Sequence, residues 1–394
     1  MRRLLLTRWD PGVPEEVFRL TSLGSTDGVV CPGLRELRWE AYPGTISFRQ
    51  LFLSTKLTTF ALTDFDSFPE PPERGFSILR PVIAGLDTFP LQHLYLRWAI
   101  GGETSRQMEL IVSSAVLRCG SALKTLAVFS PVSDAAVQHI MQLPNLTTWY
   151  AANSPPRTLN LPLSDVFPQL DNLELVKEVS FGWLSFFTRT ARHIPSGQDS
   201  NSSFNHGPIQ RIARLGVFTT AIDAAFMSPI MLFHELVFLR LSSACSVTRG
   251  CAFNLTDNNI AEIATALPRL REASFGTVCF ANSCQTTTAS LVSLSAHCRD
   301  LEVLQIHFNT ANIRDDLEAV SADPRLDNLP SLRTCKVFRL VLSNAPYTIG
   351  KDDVVPVLRG FRRIFPSLTH ITGECSSWGW GKLDRRLPEA SPAC

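Results

Sequence analysis

No excess of charge, no unbroken apolar run and no paired-cysteine motif stands out in this sequence. Each absence removes a class of function. Lys and Arg number 37 against 36 Asp and Glu, for a net charge of +1. That leaves no basic footprint for nucleic acid or for an anionic membrane. The most apolar stretch, 217–241, is interrupted by Asp223, His234, Glu235 and Arg240. A spanning helix needs about 20 mostly apolar residues, and charges inside it are costly. The start, Met1-Arg2-Arg3-Leu4-Leu5-Leu6, imitates a secretion signal, but its apolar run stops at Thr7-Arg8. That is short of the usual apolar region of about 7–15 residues, so the chain is read as intracellular.

The ten cysteines (31, 119, 245, 251, 279, 284, 298, 335, 375 and 394) contain no C-x-x-C pair. Scattered cysteines in a long intracellular chain act as small buried hydrophobes. Cys279, Cys284, His297 and Cys298 come nearest to a metal set, and their spacing fits no common zinc pattern. Metal: none; cofactors: none. No G-x-S-x-G elbow, G-x-x-x-x-G-K-[ST] loop or H-E-x-x-H pair occurs, so no catalytic residue is assigned and the chain is read as not an enzyme. The Asn-x-Ser/Thr matches at Asn145, Asn201 and Asn254 are taken as accidental.

What is present is a repeat. Hydrophobic residues make up 45% and charged residues 19%, a composition that folds rather than one that stays disordered. A unit of leucine-like residue, two others, leucine-like residue, one other, apolar residue recurs twelve times. First positions are Leu34, Leu57, Leu91, Leu123, Leu146, Leu170, Ile212, Leu236, Leu270, Leu301, Leu332 and Leu368. Pro or Cys often introduces it, as in Cys31-Pro-Gly-Leu34 and Pro268-Arg-Leu270. The steps run from 23 to 42 residues. The shortest fall within the range of about 20–29 of leucine-rich repeats, and the longer ones need only a longer outer segment.

The last apolar pair of each unit alternates and so shares one face of a short strand. One strand cannot bury that face alone, whereas stacked strands share it. Several return segments read as helices. Ser133-Asp134 opens 134–141, Thr256-Asp257 opens 257–264, and Asp352-Asp353 opens 354–361, with capping residues or acids at the helix start. The expected fold is α/β: a leucine-rich-repeat solenoid (horseshoe) with parallel inner strands and helices and loops outside. It is expected to span 1–373, with a polar insertion near 196–207 and a cap or flexible tail over 374–394.

On these residues the chain resembles the leucine-rich-repeat region of the F-box-like proteins of mushroom-forming (basidiomycete) fungi. Cys31-Pro-Gly-Leu-Arg-Glu-Leu-Arg-Trp39, Leu51 to Leu62, Leu255-Thr-Asp257 leading to Leu267-Pro-Arg-Leu270, and Phe365-Pro-Ser-Leu-Thr369 carry the likeness, which covers most of the chain. The resemblance implies that an N-terminal F-box docks the adaptor of a cullin-based ubiquitin ligase while the repeats choose the substrate. Val13-Pro14-Glu15-Glu16-Val17-Phe18 resembles the opening of an F-box, but Gly24 to Gly28 is a turn that runs into the first repeat. The adaptor is therefore an expected partner only where an F-box lies upstream of Met1.

The residues that alternate with the buried ones should line the concave face. They include Glu36, Arg38, Glu40, His93, Phe129, Gln305, His307 and Lys336. Tyr95, Arg97, Tyr150, Phe238 and Arg240 are the chosen partner-binding residues, because aromatics and Arg dominate binding hot spots. The function read from the sequence is a non-catalytic protein-protein interaction module, with an unknown protein partner, no nucleic acid and no membrane. It could be the substrate-recognition part of an F-box-type ligase. The alternative is an F-box-less remnant with a structural role and no specific partner.

Overall fold

The structure is a computed structural model. It describes residues 3–6, 31–41, 53–64, 83, 85–97, 104–129, 131–151, 155, 166–176, 182–187, 212–219, 221–243, 253–276, 285–309, 311–343 and 353–373. The polar insertion at 196–207 and the tail at 374–394 lie outside them. The described residues fall into two compact units divided between Leu173 and Glu174.

The first unit contains strands β1 (Arg3–Leu6), β2 (Glu36–Ala41), β3 (Thr59–Asp64), β4 (His93–Arg97), β5 (Thr125–Val128) and β6 (Thr148–Ala151). Each pairs in parallel with the next in sequence. Parallel neighbours require a crossover between them, and helices α1 (Thr104–Arg118) and α2 (Asp134–Gln142) supply two of these. The second unit repeats the plan with β8 (Arg214–Thr219), β9 (Phe238–Ser243), β10 (Glu272–Phe275), β11 (Val303–His307), β12 (Arg339–Ser343) and β13 (His370–Gly373). These too pair in parallel and in sequence order. Its helices are α3 (Ala224–Ile230), α4 (Asp257–Ala266), α5 (Thr288–His297), α6 (Ile313–Ala322), α7 (Pro330–Thr334) and α8 (Val354–Ile364). Strand β7 (Asn172–Val176) carries the division between the units.

One hydrogen-bond device repeats along both units. Among the described residues, the carbonyl of the residue after a first position accepts two backbone N–H groups from the following repeat. Arg35 O takes Thr58 and Thr59; Thr58 O takes Gln92 and His93; Gln92 O takes Lys124 and Thr125. In the second unit Ala213, Val237, Arg271, Glu302 and Phe338 act in the same way. This fixes each strand in register against its predecessor and satisfies backbone groups at the corner where the chain enters the core. The fold is thus an α/β leucine-rich-repeat solenoid, argued from the chain's own ladder.

That ladder corrects the eleventh repeat. The sequence window begins at Leu332, but Leu332 lies in α7. Glu302 O accepts from Phe338 and Arg339, so the first position is Val337, followed by Leu340 and Leu342. Both windows place buried apolar residues at the right spacing, since Leu332, Cys335, Val337, Leu340 and Leu342 are all buried. Leu332 N–H even closes a turn on Leu329 O, as other first-position leucines do. Pro330 at the start of α7 favours a helical turn there, and the strand follows it. Lys336, expected on the concave face, therefore precedes the strand and pairs with Asp300 at 2.6 Å. The ladder also has a strand that the twelve windows omit: β1, paired with β2 through Arg3–Glu36 to Leu6–Trp39.

The core is built from the repeat leucines and from aromatics that replace them. Trp149 occupies a leucine position in β6 with no exposure, and its ring lies 5.2 Å from that of Phe167. In the second unit Trp183, Phe186, Phe187 and Phe233 pack at centroid distances of 5.5–5.8 Å. Three helix starts expected from the sequence are helix starts. Ser133 Oγ accepts from Ala136 N at 3.3 Å. Thr256 and Asn259 form a reciprocal capping box. Asp353 stands before α8 without a side-chain cap and instead meets Arg314 at 2.8 Å.

Candidate functional site

In the first unit the alternation buries Leu94 and Leu96 and leaves His93 and Tyr95 half-buried and Arg97 exposed on the opposite, open face. The strand register aligns Arg38, Ala61, Tyr95, Ala127 and Tyr150 in one row across β2 to β6. Tyr95 and Tyr150 stand two strands apart, about 10 Å at the usual strand spacing. Between them Ala127 is 1% exposed although it points the open way. The flanking tyrosines account for this: a methyl group between two large side chains is shielded by both. The row is thus an amphipathic shelf, apolar at its floor and carrying phenol hydroxyls.

Polar groups frame the shelf. Arg97 places its guanidinium carbon 5.8 Å from the Phe129 ring centroid, a cation–π distance. Glu36 pairs with both Arg3, at 3.2 Å, and Arg38, at 2.8 Å. His93 Nδ1 and Thr125 Oγ1 lie 3.0 Å apart. Burial, with the nearby Lys124 charge, holds the His93 imidazole below its ordinary range, against a weaker pull from Glu36. The side chain of Glu40, expected on this face, lies outside the described residues.

In the second unit Arg214, Gly216 and Phe218 of β8 face the open side next to Phe238, Arg240 and Ser242 of β9 in register. Arg214 lies over the Phe238 ring at 4.3 Å. Gly216 leaves a notch, and the side chain of Glu174 enters it: a Cβ built on Gly216 would stand 3.0 Å from Glu174 Cγ. Glu174 is half-buried. Burial raises its carboxyl pKa and outweighs the opposing pull of Arg240 and Arg214. Phe218 and Arg240 are exposed.

The structure thus brings Tyr95 and Tyr150 into one row and Phe238 and Arg240 onto one strand beside Arg214. Gln305 is half-buried on the open side of β11. His307 is a correction. It sits at the end of β11 with the parity of an open-face residue but with no exposure. Phe253 meets its ring edge-on at 5.7 Å. Gly276, at φ +103°, brings its backbone so close that a Cβ there would stand 2.6 Å from His307 Cβ. His307 keeps its register with Ser343, but Gly276 and Phe253 cover it, so parity does not predict exposure there. Sequence reasoning missed Glu174, Arg214 and Phe218. The available signal was Gly216, a glycine at an outward strand position flanked by large side chains.

These faces carry guanidinium groups, phenols, aromatic edges and the carboxylates of Glu36 and Glu174. Among the described residues no group of three or more His, Cys, Asp or Glu side chains converges on a metal position. The Asp257 carboxylate is used within the fold: it accepts from Thr287 N and Oγ1 at 2.7 Å and from Ser290 N at 3.2 Å, capping α5. Among the described residues no helix is long and apolar enough to cross a membrane.

No family model matches the chain, and no curated protein matches it. Among solved structures, a chain from the crystal structure of the Rad7 and Elc1 complex in yeast is similar over 89% of this chain and 74% of that chain, at 12% identity and a TM-score of 0.41.

Proposed function

We propose that this chain is a non-catalytic protein-interaction module that grips its partner on the open face of its parallel strands. The observation that carries the reading is the in-register row Arg38–Ala61–Tyr95–Ala127–Tyr150. Rigid aromatic anchors spaced along a stiff ladder, with small residues between them, suit a hot-spot surface. Tyr95, Arg97 and Tyr150 act in the first unit, and Phe238 and Arg240 in the second. The likeness of the repeats to fungal F-box-like proteins supports a finer role as the substrate-choosing part of a ubiquitin ligase. The free thiols of Cys31, Cys298 and Cys335 support a reducing, intracellular setting.

Affinity enrichment with the full chain tests the face. A specific partner is retained by Leu110→Ser, which alters an exposed residue of α1, and is lost by the pair Tyr95→Ala and Tyr150→Ala. A partner that survives the tyrosine pair and is lost with Leu110→Ser would refute the assignment to the strands. Pull-down with the purified ligase adaptor tests the finer role. No adaptor binding removes the ligase role and leaves the interaction module standing.

A further inference from the structure

The notch at Gly216 in the second unit holds a side chain of the protein itself where a ligand group would fit. Its walls are Arg240 on β9, the Arg214–Phe238 pair below and the exposed ring of Phe218 above. Its occupant is the Glu174 carboxyl. Two guanidinium groups act on that carboxyl, and no hydrogen bond or ion pair within 4.0 Å joins Arg240 to any described carboxylate. Within the notch two positive groups stand beside one loosely held negative group; Glu272 of β10 borders Phe238 on the side away from Arg214.

We infer that this notch receives an acidic segment of a protein partner, whose Asp or Glu carboxylate displaces Glu174 from between Arg214 and Arg240 while a neighbouring apolar side chain lies against Phe218. This rests on the open-face reading of Proposed function and adds the chemistry of the partner. Arg presents a planar fork that matches a carboxylate in two hydrogen bonds. Glu174, tethered through its backbone to β7, reaches the notch along Gly216 and acts as an internal competitor. Its raised carboxyl pKa agrees with a group that gains little from its position. The arrangement selects for acidic partners by complementary charge, and it selects against basic ones because two like charges meet them.

The test uses the full chain and short fluorescein-labelled peptides that carry Glu or Asp beside a Phe or Leu, with matched peptides carrying Lys at the acidic positions. Fluorescence anisotropy is expected to show the acidic set binding at least about tenfold more tightly than the Lys set, with the difference shrinking as salt rises. Arg240→Ala is expected to weaken acidic peptides about tenfold, and Glu174→Gln to tighten them several-fold. Arg240 is exposed, so an unchanged thermal melt for its variant separates lost binding from lost folding. Equal binding of the two sets, no effect of Arg240→Ala, or weaker binding by Glu174→Gln would overturn the inference. If acidic peptides bind but respond only to Tyr95→Ala and Tyr150→Ala, the open face survives as the binding surface and the notch does not. If a co-purifying partner ignores every open-face substitution, the broader reading fails and carries this one with it.

Discussion

At the scale of single residues, burial decides chemistry more than residue type does. His307 lies between Phe253 and Gly276, and burial lowers its pKa from 6.5 to about 4. The depressed value means that the unfolded chain takes up the proton first. The stability that His307 contributes by staying neutral is whole above pH 6.5 and is lost as the pH falls towards 4. The predicted loss approaches about 3 kcal/mol across that window. Thermal melts of wild type and His307→Gln from pH 7 to pH 4 check it: the wild type should lose more, and parallel curves would refute it. The cysteines follow the same logic. Burial pushes the Cys298 thiol up to about 12 and raises Cys335 as well. Since the thiolate is the reactive form, native-state alkylation mapped by mass spectrometry should modify half-buried Cys31 before Cys119, Cys298 or Cys335. Early labelling of Cys298 would show that its site opens.

Between elements, close contact outranks local preference. Gly360 lies in α8, where Ala would gain about 1 kcal/mol of helix propensity. A Cβ there would stand 2.6 Å from Leu317 Cβ and 2.9 Å from Leu317 O, so α6 and α8 would have to separate. Overpacking of this kind costs about 1–3 kcal/mol. Gly360→Ala is thus predicted to destabilise by a net of up to about 2 kcal/mol, read from the denaturant midpoint; a stabilised variant would show that the two helices can shift apart. Asp257 on α4 caps the neighbouring α5. Asp257→Ala leaves Thr287 and Ser290 donors without their acceptor and is predicted to cost about 2 kcal/mol in the same measurement.

This is also the scale at which the sequence was partly legible. The strands starting near Leu34, Leu123 and Leu301 were readable because their leucines alternate and their corners carry Pro, Cys or Gly. The helix starts at Ser133 and Thr256 were readable because capping is local chemistry. The eleventh repeat was not, because two overlapping windows place buried residues equally well and only the partner strand chooses between them. His307 was misplaced because period-two parity gives the face of a strand residue and not what packs over it, here Gly276 and Phe253. The notch at Gly216 was missed because its essential part is a missing side chain, while the groups around it come from repeats far apart in sequence.

Across the whole molecule, the repeat acts through many small equal terms. Thr58, Thr147 and Thr369 follow first positions, and each hydroxyl donates to the carbonyl of the matching residue one repeat earlier: Arg35, Lys124 and Phe338, at 3.0–3.2 Å. Each exposed bond contributes about 0.5–1 kcal/mol. The three sites share no partner, so their losses should add. The triple variant Thr58→Val, Thr147→Val and Thr369→Val is predicted to lose about 2 kcal/mol, close to the sum of the singles in urea titrations. A triple loss far from that sum would show that the repeats communicate beyond their neighbours.

The carbonyl that receives two N–H groups at the described corners has a consequence for how such a chain changes over time. It counts only from the first leucine of one repeat to the first leucine of the next, and it ignores how many residues lie between. Among the described joints, steps from 23 residues (Leu34 to Leu57) to 36 residues (Leu301 to Val337) are therefore compatible with one joint. Outer segments become cassettes: a return segment can be shortened, lengthened or exchanged for another without moving a single strand. A lineage, or an engineer, can thus rewrite the outside of this protein while its recognition rows keep their spacing.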